Sequence, residues 1–147
     1  MFAFLVILSL SPIGQPGLKC LGVVNKHGSD WIGFQVENPN NNRIFFYGYT
    51  PESFSNGIPK GEIIPFYLME IRKNNGPWKQ VELGHCGTGK GILPLEPKSK
   101  VTFETTIPAG EWDEVRVGLA WAKETSAPIE RAWSDVIKRA DLKNKKP

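Results

Sequence analysis

Large apolar residues alternate with small or polar ones over residues 115–121, the clearest such pattern in the chain. This period of two is typical of a β-strand with one face in a hydrophobic core. The loop 123–130 that follows is polar and contains Pro128, so the chain can turn back on itself there. We therefore predict an antiparallel hairpin, whose second strand follows this loop and extends to about Ile137.

The second half of this hairpin has a competing interpretation, because the apolar positions of residues 129–140 also recur at the spacing of a helix. Ser126 would cap that helix, and Pro128 is allowed in its first turn. We predict a strand as far as Ile137, since the strand at 115–121 needs a partner in a sheet.

Six further stretches have the composition of strands and are separated by turn residues. The chain contains 15 glycines and 12 prolines, more than a helical protein tolerates, and these residues favour many short strands joined by turns. Together with the hairpin they give about seven or eight strands and predict an all-β sandwich of two antiparallel sheets. The six stretches are residues 18–25, 31–37, 43–50, 66–72, 78–83 and 100–107.

Length and composition agree with one folded domain. At 147 residues, with 40% hydrophobic and 11% aromatic residues, the chain is large enough to bury a core without metal or disulfide staples. Within it, the stretch 43–50 is apolar on both faces, which predicts a central strand that is covered on both sides.

The net charge of +3 is concentrated at one end of the chain. Residues 138–147 contain 5 basic residues and Asp141, a net charge of +4, so the remainder of the chain carries −1. A short basic run at a terminus is typical of a solvated end. We therefore predict a basic C-terminal tail over 138–147 and no nucleic-acid partner.

Residues 2–10 form an uncharged apolar run, which is followed by a segment rich in Ser, Pro and Gly. The run has the length of the apolar region of an export signal and is too short to span a bilayer. We predict an export signal over residues 1–17, a β-sandwich domain over 18–137 and no transmembrane span, in a protein that is secreted, periplasmic or at the cell surface. The alternative, a buried first strand or a hydrophobic arm, is favoured by the lack of a basic residue before the run.

Three short segments occur in a recognisable order in the second half of the chain. They read Tyr-Leu-Met-Glu-Ile-Arg at 67–72, Val-Arg-Val at 115–117 and Trp-Ser-Asp at 133–135. Over residues 66–137 the chain therefore resembles the later strands of a fibronectin type III domain, or more generally of an immunoglobulin-like sandwich.

The resemblance implies a two-sheet sandwich, and domains of this kind mostly bind, adhere or act as spacers, since the fold alone does not fix a function. In the family a tyrosine ahead of the Val-Arg-Val strand pins a corner of the fold. In this chain that position falls at about Asp113, beside Trp112.

The glycine-rich stretch 84–91 matches the phosphate-binding loop G-x-x-x-x-G-K-[ST] at every position but the last. The last position supplies the hydroxyl that holds Mg²⁺, and Gly91 has none. The loop should also open a helix, but the following residues 92–97 contain two prolines. We predict an irregular connection between the sheets, and neither a nucleotide nor another cofactor.

The two cysteines and two histidines do not form a recognisable catalytic or metal-binding pattern. His85 and Cys86 are neighbours, and adjacent side chains of an extended chain point to opposite faces. No pair among the four residues has the close spacing of metal ligands, so we predict no metal and no catalytic residue. A disulfide between Cys20 and Cys86 is the more ordinary use of two cysteines in an exported chain.

Aromatic side chains are the remaining candidates for ligand contacts. Trp31 and Tyr49 lie near the ends of predicted strands or opposite their apolar faces, which makes them candidate ligand-facing aromatics. We predict a non-catalytic exported β-sandwich module for protein binding, adhesion or structural spacing, with an unknown protein or carbohydrate partner. The first alternative is a carbohydrate-binding module that uses surface aromatics. The second is a small hydrolase or thiol enzyme that uses Cys86 and its glycine loop.

Overall fold

The computed structural model describes residues 13–84 and 88–144, with side chains described as far as Leu142. These residues form 10 strands, a short 3₁₀ turn at Pro51–Ser53 and one short helix, α1, at Arg139–Asn144. The strands lie in two antiparallel sheets, which confirms the prediction of an all-β sandwich. They are β1 (Gly17–Lys26), β2 (Ser29–Glu37), β3 (Ile44–Tyr49), β4 (Tyr67–Arg72), β5 (Lys79–Gln80), β6 (Lys90–Leu95), β7 (Lys100–Thr106), β8 (Glu114–Ala122), β9 (Glu130–Trp133) and β10 (Ile137–Lys138).

The first sheet contains β1, β2 and β7 in that order. Ile32, Phe34 and Val36 of β2 alternate with other residues and are completely buried, as their spacing predicts. Phe103 of β7 is paired with Phe34, and the two ring centroids lie 5.3 Å apart. The inner face of this sheet is therefore a layer of large apolar side chains.

The second sheet is built around β8, whose two edges are both occupied. Trp121 of β8 is paired with β3 on one side and with β9 on the other. Nearer the start of β8, the strand paired on the first of these edges is β4 instead of β3. On the other edge it is β10 instead of β9. The strand order is β5-β4-β8-β3-β6, with β9 and β10 beside β8. β3 is thus a central strand, as predicted, although its outer face is only half-buried.

Large apolar side chains from both sheets fill the space between them. Trp121, Leu119 and Met69 of the second sheet are no more than 1% exposed and pack towards the first sheet. Burial of one side chain of this size stabilises the fold by roughly 1.5–3 kcal/mol. The core also contains Ile32, Phe34, Val36, Ile44, Phe46, Leu95, Phe103, Trp112, Val115, Val117, Ala132, Ile137 and Leu142.

The last part of the domain is extended up to Lys138 and helical only after it. β9 and β10 both pair with β8, so the strand predicted as far as Ile137 is confirmed, and the helix begins at Arg139. Ser134 separates the two short strands, because its hydroxyl accepts the Val117 N–H while its own N–H donates to the Val117 carbonyl. A side chain thus takes the place of one backbone acceptor in the ladder.

Residues 61–66 link the two sheets by pairing with one strand of each. The Ile63 N–H donates to the Thr102 carbonyl of β7 in the first sheet. One residue later, the Ile64 carbonyl accepts the Tyr49 N–H of β3 in the second sheet. This connection therefore bridges the gap between the sheets along one side of the sandwich.

The structure contains one strand that the sequence does not predict, β6. Pro94 interrupts its pattern and cannot donate a backbone hydrogen bond. β6 nevertheless pairs with the whole of β3, because it lies at the edge of the second sheet, where a missing N–H is tolerated. The strand predicted at 78–83 is shortened to the two residues of β5.

Both ends of the domain take part in the core. Leu142 of α1 is 4% exposed, so the segment predicted as a basic tail contributes an apolar anchor. At the other end, Ile13 packs against the core and β1 starts at Gly17. The apolar run 2–10 lies outside the described residues, and the export signal stays a prediction.

Candidate binding surfaces

The outer face of the second sheet carries two pairs of opposite charges. In the register between β4 and β8, Glu70 faces Arg116 and Arg72 faces Glu114. Their sequence neighbours point into the core, as the full burial of Met69 illustrates, so these four side chains point to the solvent side.

Two tryptophans flank the arginines on this face. The Arg116 Cζ atom lies 4.5 Å from the ring centroid of Trp78 and 4.5 Å from that of Trp133. The Arg72 Cζ atom lies 4.6 Å from the Trp78 centroid. Contacts of this length between a guanidinium and an aromatic ring are cation–π interactions. Arg72, Trp78, Arg116 and Trp133 are called the outer ladder below.

The two glutamates fix the arginines of the outer ladder. The Arg116 Nε atom donates to Glu70 Oε2 at 2.7 Å, and a second guanidinium nitrogen lies 2.5 Å from the same oxygen. The Arg72 Nε atom donates to Glu114 Oε2. Exposed ion pairs are worth only about 0.2–1 kcal/mol each, so their main effect here is to hold the guanidinium planes against the rings.

Because Gly118 of β8 has no side chain, neighbouring side chains can pack directly on the sheet backbone at this position. A Cβ at this position would lie 2.7 Å from Arg131 Cδ and 3.0 Å from the Trp133 ring, so both side chains lie close over the backbone. Burial lowers the pKa of Arg131 below its usual value. Unlike the arginines of the ladder, Arg131 has no acidic partner in the described part of the chain.

The sequence does not predict the outer ladder, although it contains one signal for it. Both strands carry the motif Glu-x-Arg, at 70–72 in β4 and at 114–116 in β8. Two such motifs in an antiparallel pair place each glutamate opposite an arginine, but only in one register. A single sequence does not supply that register.

The two aromatics predicted to face a ligand lie in different cavities. Trp31 of β2 is half-buried and lines a cavity of about 280 Å³. Tyr49 of β3 is also half-buried and packs against Phe66, with ring centroids 4.8 Å apart. It lines a separate, open depression beside Ser53. The structure therefore does not bring Trp31 and Tyr49 together on one surface.

The candidate residues for sulfur chemistry are only partly described. His85 and Cys86 lie outside the described residues, so the pairing of Cys86 with Cys20 stays a prediction. Cys20 is half-buried on β1, and its sulfur accepts the Gly22 N–H at 3.4 Å. Gly22 follows a β-bulge and has a φ of 95°.

The lysine of the partial phosphate-loop motif contributes to the fold. Lys90 begins β6, and its Nζ atom lies 4.7 Å from the centroid of the Phe66 ring. The carbonyl of Gly89, which has a φ of 80°, accepts the Thr50 N–H. These contacts attach the motif to the end of β3, and a strand, not a helix, follows it.

An open cleft of about 800 Å³ lies at the corner between β7 and β8. Its floor is Trp112, whose indole N–H donates to the Pro108 carbonyl at 2.9 Å, and the Arg139 guanidinium lies 4.8 Å from the Trp112 ring centroid. Asp113 accepts the Asn74 N–H at 2.7 Å. Trp112, Asp113 and Arg139 of this cleft are therefore engaged in contacts within the fold.

Comparisons of the chain with protein-family models, with curated proteins and with solved structures gave no match. Within residues 13–84 and 88–144 there is no group of three or more His, Cys, Asp or Glu side chains placed to hold a metal ion. The same part of the chain contains no helix with the length and apolar character needed to cross a membrane. An assignment of function therefore depends on the geometry of the surfaces described above.

Proposed function

We propose that this protein is an exported, non-catalytic binding module of the immunoglobulin-like or fibronectin type III-like class. The strand order supports the class: β1, β2 and β7 correspond to strands A, B and E of that fold, and β4, β8 and β9 to strands C, F and G. Strand β3, with its partner β6, is an addition to this pattern. The apolar run 2–10 supports export.

The corner before β8 also supports this class. In immunoglobulin-like domains a tyrosine at this corner donates its hydroxyl to a backbone carbonyl a few residues upstream. Here Trp112 donates its indole N–H to Pro108, four residues upstream. A larger ring makes an equivalent bond, although the residue type departs from the family pattern.

The observation that carries the binding proposal is the outer ladder. Tryptophan and arginine are enriched at the centres of protein interfaces, where a few rigid anchors supply most of the binding energy. In the ladder both residue types are partly exposed and already held in place by Glu70, Glu114 and the sheet itself. A partner therefore loses little side-chain entropy on binding here. Arg131 adds a positive charge that a carboxylate of the partner can pair with.

Photo-crosslinking tests the location of this surface. A photoreactive amino acid at Gln80, which is exposed and opposite Glu70 on the ladder side, should give a protein adduct of defined mass when the full chain is exposed to extracts of its source cells. The same amino acid at Lys19, exposed on the first sheet, is the matched control and should give none.

The alanine variants test the residues themselves. Arg116→Ala or Trp133→Ala should weaken capture of that partner by about 30-fold, the equivalent of 2 kcal/mol at an interface anchor. Cys86→Ala should leave capture unchanged. Three outcomes would each contradict the proposal. They are equal adducts from Lys19 and Gln80, full capture of the partner by both ladder variants, and a bound species that is a polysaccharide and not a protein.

A further inference from the structure

A cavity of about 280 Å³ lies at the end of the sandwich, beside the turn between β1 and β2. Most of its lining is apolar and comes from three separate parts of the fold: Trp31 of β2, residues 63–65 of the connection between the sheets, and Tyr67 at the start of β4. An apolar cavity of roughly 150 Å³ holds benzene. The present cavity therefore has room for a small organic molecule, near the lower limit for small-molecule sites.

Two aromatic side chains contribute to this lining, and aromatic rings attract cations. Trp31 and Tyr67 are both half-buried. The face of an aromatic ring carries a negative partial charge, and tryptophan is the strongest of the aromatic residues in binding a cation above its ring. This attraction gains strength where water is excluded, as it is inside a cavity. The aromatic part of the lining therefore favours a positively charged ligand.

The charged groups at the cavity add to this preference for a cation. The Lys26 ammonium donates to Glu62 at 2.9 Å and to Glu104 at 3.2 Å, so one positive charge is shared by two carboxylates. These three groups carry a net charge of −1, and both Lys26 and Glu104 line the cavity. His27 also lines it and adds no charge while it is neutral. The lining therefore attracts a cation and repels an anion.

The lining offers few hydrogen-bond acceptors, which limits the type of cation. Both oxygens of Glu104 already accept the Lys26 ammonium at 3.2 Å, and the side chains of residues 63–65 are apolar. A primary ammonium ion has three N–H donors, which lose their water in the cavity and need acceptors. A quaternary ammonium ion has no N–H, and aromatic side chains bind such ions.

We infer that this cavity binds a small molecule with a trimethylammonium group, of which choline is the simplest natural example. Its positive charge lies against the rings of Trp31 and Tyr67, and its methyl groups occupy the apolar space beside residues 63–65. The site shares no residue with the outer ladder, so either proposal can fail without the other.

Three matched compounds test the inference with the ¹⁵N-labelled full chain. The five tryptophans give five indole N–H signals, and the Trp31 signal is identified by its loss in Trp31→Phe. Choline should move the Trp31 signal in a saturable way. 3,3-Dimethyl-1-butanol has the shape of choline without its charge, and it should bind about tenfold more weakly. Phosphocholine, the headgroup of a lipid, should also bind more weakly than choline, because the acidic lining repels its phosphate.

Three substitutions that each remove one charge test the role of the lining. Glu104→Gln removes a carboxylate of the cavity and should weaken choline binding about three- to tenfold. Lys26→Gln removes the positive charge that Glu62 and Glu104 share, so it should strengthen choline binding by a similar factor. Glu37→Gln is the matched control, because Glu37 pairs with Lys100 at the other end of the first sheet, and it should leave the affinity unchanged.

The five indole signals also report whether each of these charge variants is folded. Four results would each overturn the inference. They are a Trp31 signal that choline does not move, equal affinities for choline and 3,3-dimethyl-1-butanol, phosphocholine binding as tight as that of choline, and weaker choline binding in Lys26→Gln.

Discussion

Tyr67 lies between the two sheets, with its ring centroid 5.9 Å from that of Phe103 and its hydroxyl hydrogen-bonded to Thr106. Burial raises the pKa of Tyr67 above its usual 10.0. The folded protein thus favours the neutral phenol, while the unfolded chain ionises as the pH passes 10.0. The stabilisation from Tyr67 is therefore complete below that pH and declines above it.

Tyr67→Phe tests this expectation. Near pH 8 the variant should be less stable by about 0.5–1.5 kcal/mol, because the hydrogen bond to Thr106 is lost. The difference in the free energy of unfolding between the two proteins should shrink as the pH rises beyond about 10. Urea denaturation at several pH values gives this difference. Lys26, whose pKa the hydrogen bond to Glu62 raises, contributes equally to both proteins. A difference that stays constant with pH would show that the buried phenol is not the cause.

The residues of the candidate site were predictable only in part. Trp31 is identified from the sequence as an aromatic near a strand end, and the structure places it at a cavity. The other wall of this cavity is formed by residues 63–65, which arrive from a distant part of the chain. The outer ladder could not be predicted, because Arg116 meets Trp78 and Trp133 only after four strands, β5, β4, β8 and β9, have paired in one register.

At the scale of single elements, the corner between β7 and β8 depends on Trp112. Its indole N–H bonds to Pro108 and its ring supports the Arg139 guanidinium, so one side chain joins the corner to α1. We expect Trp112→Phe to keep most of the buried area but to lose this hydrogen bond. The expected loss of stability is about 1–2 kcal/mol, since the Pro108 carbonyl is left buried and unpaired.

Urea denaturation of Trp112→Phe measures this loss. Amide hydrogen exchange should also show faster opening at the start of β8 than in the wild type. Trp133→Phe is the matched control, because among the described residues the indole N–H of Trp133 has no hydrogen-bond acceptor, and the variant should be less destabilising. Equal losses in the two variants would indicate that ring size, and not the bond to Pro108, is what the corner requires.

Element by element, the prediction succeeded where one strand carries its own signal. The inward residues of β2 and β8 are large, alternate strictly and are buried without exception. β6 lacks such a signal because Gly91 and Pro94 interrupt it, and its strand character comes from β3 beside it. Local alternation therefore reports on burial by a core, but not on pairing at a sheet edge.

At the scale of the whole molecule, the two sheets are joined by more than the core between them. The connection 61–66 pairs with both sheets, and α1 brings Leu142 into the core from the C-terminal side. Neither feature has a periodic sequence pattern. The connection is fixed by backbone bonds to β3 and β7. α1 is fixed by Leu142 in the core and by the contacts of Arg139 with Trp112 and the Asp113 carbonyl. The layers of the sandwich were thus predictable, whereas the links between the layers were not.

The predicted disulfide would be one more link of this kind. Cys20 lies on β1 of the first sheet. Cys86 lies outside the described residues, but Gly84 and Thr88 on either side of residues 85–87 belong to the connection between β5 and β6 of the second sheet.

In the exported protein we expect no titratable thiol before reduction and two after it. A bond that closes a loop of this length should stabilise the fold by roughly 4 kcal/mol through the entropy of the unfolded chain. Reduction should therefore lower the urea midpoint of the wild type but not that of Cys20→Ser/Cys86→Ser. Two thiols that titrate in the unreduced protein would contradict both the bond and the oxidising location that it implies.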